Sequence, residues 1–99
     1  MNNTITEERI NKIMDGAKIN VETVFDKMTV VTAQLENGFC ITEASGAVDK
    51  DNYDEKIGTE ICIDRIRNKL WELEGYKLQC EIYELETFWS DKLDRRVLW

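Results

Sequence analysis

The side chains with any prospect of reactivity are three cysteines, a mid-chain run of acids, and two cations four residues apart. The thiols are Cys40, Cys62 and Cys80, and the chain contains no histidine. The base that usually activates a cysteine or serine nucleophile is therefore missing. An odd number of widely spaced cysteines without histidine makes no zinc set either. Each cysteine lies in an apolar context, where a free thiol packs as a small hydrophobe, a pattern that fits a reducing cytosol. Asp49, Asp51, Asp54 and Glu55 form an oxygen-rich run but lack the alternating ligands and fixed glycine of a calcium loop. Capping of the next helix by Asp49, Asp51 or Asn52 explains such a run without a metal. No glycine-rich phosphate loop is present. These residues assign no catalytic group, no metal and no cofactor, and the chain is not expected to be an enzyme. Arg65 and Lys69 share a helical face. On their own they read as a solvated face. The alternative is a compact anion site, with guanidinium and ammonium on phosphates, Phe39 or Tyr53 stacked on a base, and Asn52 and Asn68 as nearby amides.

The elements that must position these groups have distinct sequence signatures. Thr29 to Leu35 is rich in β-branched residues, and Phe39 to Glu43 alternates large and polar side chains. Asn37-Gly38 between them predicts a hairpin with a two-residue type I′ turn, setting Glu36 opposite Phe39 and Gln34 opposite Ile41. Upstream, Thr4-Ile5-Thr6-Glu7 matches a capping box with Thr4 as N-cap. Ile10, Ile13, Met14 and Ala17 then predict an amphipathic helix over about residues 5–15. Lys18 to Asp26 fits an extended segment leading into a third strand or a turn. After a polar loop from Ala44 to Asp51, Ile57, Ile61, Ile66, Leu70 and Leu73 predict a long helix from Asn52 to Leu73. Gly58 inside it costs about 1 kcal/mol against alanine, which points to close approach of another backbone. Glu74-Gly75-Tyr76 reads as a helix stop or kink. Beyond it, Leu78, Cys80 and Ile82 alternate as in a strand, while Leu78, Ile82 and Leu85 equally suit a helix.

Ninety-nine residues make a single domain, here with an apolar C-terminal extension over about residues 81–99. The fold class is α+β: an antiparallel hairpin or short sheet on one long helix, preceded by a short helix. A formal charge of −7 argues against DNA, RNA or an anionic membrane as partner. The acidic N-terminal stretch has no uninterrupted apolar segment, so no secretory signal is expected, and no run approaches the roughly 18 apolar residues of a membrane span. Phe88, Trp89, Val97, Leu98 and Trp99 load the tail with more apolar surface than so small a monomer hides, which predicts at least a dimer.

Asn37-Gly38-Phe39, Glu43-Ala44-Ser45, Asn52 through Gly58 and Asn68 through Tyr76 occur in that order. Together, over about residues 17–80, they resemble a family of small phage and prophage proteins, the phage gp-forty-nine/sixty-six family. That family is in turn similar to the first described anti-Thoeris sponges, phage products that withhold a cyclic ADP-ribose-type immune signal. The resemblance implies a homo-oligomer, dimer or hexamer, in the host cytoplasm, with ligand pockets between subunits. It implies sequestration of a signalling nucleotide, a cyclic ADP-ribose isomer or a cyclic oligonucleotide, without degradation. Arg65 and Lys69 would neutralise phosphates, Phe39 or Tyr53 would stack on the base, and Asn37 or Asn52 would read polar edges. Arg67, on another helical face, would be solvated. Two other readings stand beside it. One is a phage protein that binds a host protein through its acidic surface or aromatic tail. The other is a small nucleotide hydrolase, which the lack of histidine opposes.

Overall fold

The computed structural model describes residues 4–98, with the side chains of residues 4–87. The element order is α1 (Glu7–Asp15), β1 (Lys18–Val24), β2 (Met28–Gln34), β3 (Cys40–Gly46), a 3₁₀ turn (Lys50–Asn52) and α2 (Glu55–Leu98). This is the α+β architecture expected, with a full third strand in the segment that the sequence left open. The strands form one antiparallel sheet in the order β1-β2-β3.

Both hairpin loops hold three residues by register, but they place their left-handed residues differently. In the first, between Val24 and Met28, Phe25 and Asp26 carry left-handed φ of 55° and 57°, and the Lys27 N–H donates to the Val24 carbonyl (3.2 Å). At the second turn Asn37 keeps a negative φ and Gly38 alone is left-handed, at 92°. The Gly38 N–H donates to the Leu35 carbonyl (2.9 Å), and the Leu35 N–H to the Phe39 carbonyl (2.8 Å). The loop is thus the three residues Glu36–Gly38 and not a two-residue type I′ turn. The register is corrected with it: Gln34 faces Cys40, and Ala33 faces Ile41. Burial decides this. Ala33 and Ile41 both lie under α2 and are buried, whereas the expected register would put Gln34 in their row.

The core is Ile10, Val31, Ala33, Ile41, Cys62, Ile66 and Leu70: α2 covers one face of β2 and β3, and α1 packs against α2. Gly58 presses on β2: a Cβ there would stand 2.3 Å from the Thr29 hydroxyl oxygen and 2.8 Å from its Cβ. The glycine does mark a close approach, but its neighbour is a strand side chain and not another backbone. The N-cap of α1 is Thr6, not Thr4; its side chain accepts from the Arg9 N–H (3.2 Å). The cap of α2 is Asp54, whose carboxylate accepts from the N–H groups of Lys56 (2.9 Å) and Ile57 (3.3 Å). Asp49 instead caps the 3₁₀ turn, accepting from Asp51 (2.9 Å).

The expected break at Glu74-Gly75-Tyr76 is absent, since α2 runs through it as one helix of 44 residues. A single glycine costs about 1 kcal/mol, and flanking strong helix formers outweigh it. The side chains of Phe88, Trp89, Val97 and Leu98, and all of Trp99, lie outside the described residues. No described helix is long and apolar enough to cross a membrane.

Candidate functional site

A cleft of about 520 Å³ opens where the β2–β3 turn, α1 and the middle of α2 meet. Ile13, Leu35, Leu70 and Leu73 give it an apolar floor; Phe39 and Asn37 from the turn stand at one wall, and Arg9, Lys12 and Lys77 bring three cations to the rim. Each element contributes for a local reason. The odd residue of the three-residue loop turns Phe39 out, leaving it half exposed. Asn37 Oδ1 accepts from the Phe39 N–H (3.0 Å), which holds the turn and leaves its amide N–H₂ free of that bond. Arg9 is fixed by Glu74, with Nε donating at 2.7 Å across 65 residues of sequence. Lys12 and Lys77 have no ion pair among the described residues. Glu36 and Glu74 also line the cleft, so two carboxylates stand against its three cations. The small positive excess, with an apolar floor, one aromatic ring and one amide, suits a planar ligand of modest negative charge.

The six candidate residues from the sequence fall into three places. Asn37 and Phe39 share the cleft. Arg65 and Lys69 do lie on one face of α2, but that face meets β3: Arg65 donates to the Ala44 carbonyl (2.6 Å), and Lys69 is 3.5 Å from the Glu43 carboxylate. Asn52 and Tyr53 sit at the far end of the sheet, beside a small hollow of about 100 Å³ that Gly58 also lines. The Tyr53 hydroxyl is engaged there with Thr29 (2.7 Å), Thr23 (2.8 Å) and the Met28 carbonyl (3.4 Å). Thr23 also donates to Glu55. Tyr53 therefore clasps the approach to α2 onto the sheet. Arg67 is half-buried rather than solvated, and donates to Asn11 of α1 at 2.6 Å.

The cysteines make no reactive centre. Burial pushes the Cys62 thiol up; the Arg65 charge opposes the shift and that of Glu43 adds to it. Its Sγ donates to the Thr29 carbonyl (3.8 Å). A hydrogen bond with Cys80 pushes the exposed Tyr76 phenol up. No group of three acidic or cysteine side chains among the described residues converges as a metal site. The residues that sequence reasoning missed are Arg9, Lys12 and Lys77. Only the stripe Ile10, Ile13 and Met14 hinted that α1 docks against α2.

Among known proteins, the model of one family matches residues 2–82; it is described as the phage protein (N4 Gp49/phage Sf6 gene 66) family. No curated protein and no solved structure matches.

Proposed function

The chain belongs to this phage protein family, and from that premise we propose that it is a counter-defence protein of the host cytoplasm that binds a signalling nucleotide and withholds it intact. The ligand class is a cyclic ADP-ribose isomer or a cyclic oligonucleotide. The observation that carries this reading is the cleft in which Phe39 and Asn37 meet the uncommitted Lys12 and Lys77 over an apolar floor. A base stacks on Phe39, and the ammonium groups neutralise phosphates. Sequestration asks nothing more of the site, since binding without bond cleavage needs neither nucleophile nor base. The phosphate role passes from Arg65 and Lys69, which β3 engages, to the lysines of the cleft.

The test is a calorimetric titration with both ligand types, followed by heat denaturation and mass analysis of the released ligand. Intact ligand is expected; a converted product would make the protein an enzyme. Lys12→Ala and Lys77→Ala should each weaken binding by about tenfold or more, a charge-assisted contact being worth about 1.5–3 kcal/mol. Arg65→Ala should cost less, and equal losses would reduce the site to general electrostatics. A second reading, docking of a host protein, is favoured by the exposed Tyr76, Tyr83 and Leu85 on α2 beyond the sheet. Failure of every such nucleotide to bind would move the assignment there.

A further inference from the structure

The two edges of the sheet are finished differently. On β3, Arg65 reaches from α2 to the Ala44 carbonyl, and Lys69 lies against Glu43. β1 is exposed at every position from Lys18 to Thr23, pairs only with β2, and runs without a bulge from Lys18↔Gln34 to Val24↔Met28. The chain contains no proline to blunt that edge. A strand with one free row of backbone donors and acceptors is a template for another strand.

What the edge fits can be read from its own side chains. Ile19 and Val21 are register mates of the buried Ala33 and Val31, so they belong to the helix-bearing face, yet they remain 42% and 37% exposed. Lys18, Asn20 and Glu22 lie on the opposite face. Laid antiparallel on itself about Asn20, the segment Lys18-Ile19-Asn20-Val21-Glu22 is self-complementary. Lys18 falls opposite Glu22 of the partner subunit, Ile19 opposite the partner's Val21, and Asn20 opposite the partner's Asn20. Each of the first two pairs occurs twice. A two-fold at Val21 would lose both ion pairs, one at Glu22 would set like charges opposite each other, and a half-step slip would mix the faces.

We infer that β1 pairs with β1 of a second copy in this register, joining two three-stranded sheets into one of six strands and closing the apolar row of Ile19 and Val21. The pairing is independent of the nucleotide reading, because it needs no ligand and leaves the cleft residues untouched.

The test is charge reversal at two exposed positions that carry no core packing. In sedimentation equilibrium the unmodified protein should show twice the protomer mass. Lys18→Glu and Glu22→Lys should each weaken dimerisation by about tenfold, since two cross-strand pairs turn from attractive to repulsive. The double variant should restore it, because the pairs then attract with exchanged sign. Hydrogen exchange should show outward-facing β1 amides gaining protection as concentration rises. A monomeric mass throughout, even with β1 taking up a foreign strand, would overturn the inference. So would a dimer indifferent to the single reversals, or one that the double variant fails to restore.

Discussion

Between Gly58 and Leu70, α2 places Gly58, Cys62, Ile66 and Leu70 in the interior, one every fourth residue, whereas from Trp71 to Thr87 no residue is fully buried. The same helix is held in two ways. Its first half is an amphipathic element whose apolar row lies on β2 and β3 and whose helicity follows largely from that burial. Its second half has no sheet beneath it and relies on strong helix formers, with Lys77 and Glu81 spaced for an i, i+4 pair. The length helps too, because a continuous helix nucleated on the sheet does not bear a second nucleation cost.

The sharpest break of this comparison is a pair of leucine truncations. Leu70→Ala should lower stability by about 2–5 kcal/mol in urea unfolding, as deletion of a fully enclosed side chain does. Leu85→Ala, from a half-exposed position, should cost under about 1 kcal/mol. Equal losses would mean that the second half has its own packing partner.

Next come the two glycines. Gly58→Ala drives a methyl into Thr29 on a strand that has little room to yield, and should cost about 1–3 kcal/mol although alanine is the better helix former. At Gly75 no atom lies within 4 Å of an added Cβ, so Gly75→Ala should raise stability by about 0.5–1 kcal/mol in the same measurement. A gain at both sites would dissolve the distinction.

The smallest effect concerns the thiols. Under native conditions a thiol reagent should label the exposed Cys40 well before the buried Cys62 of the packed half. Because the folded Cys62 pKa lies above its unfolded value, its neutral form favours folding fully at neutral pH. That contribution is lost as pH rises through the folded value. Labelling of Cys62 as fast as Cys40 would place α2 off the sheet.

The parts legible in the sequence were those with local causes. The stripe Ile10, Ile13 and Met14 located α1, the β-branched run located β2, and the out-of-place Gly58 announced a close contact. The turn at Asn37-Gly38 was located but mistyped, because the choice between two and three loop residues is made by Ala33 and Ile41 meeting under α2. β1 stayed ambiguous because Ile19 and Val21 alternate as in a strand while Val21, Val24, Phe25 and Met28 equally fit a helical turn. Gly75 misled for the opposite reason: a residue that usually marks an end was outweighed by neighbours on both sides. Of the residues that line the candidate cleft, Asn37 and Phe39 were legible as neighbours because one turn carries both. Lys12 and Lys77 were not, since only the docking of α1 on α2 brings them to one rim.

The reach of α2 has a practical consequence for attaching probes. Lys77 stands at the rim of the cleft, and Leu98 lies 21 residues further along the same helix, about 32 Å away at 1.5 Å per residue. At the other end of the chain, Arg9 and Lys12 of the rim lie within two turns of the Thr6 cap. A fluorophore or affinity tag fused behind Leu98 should leave the cleft mouth open, whereas the same tag fused ahead of α1 should crowd it.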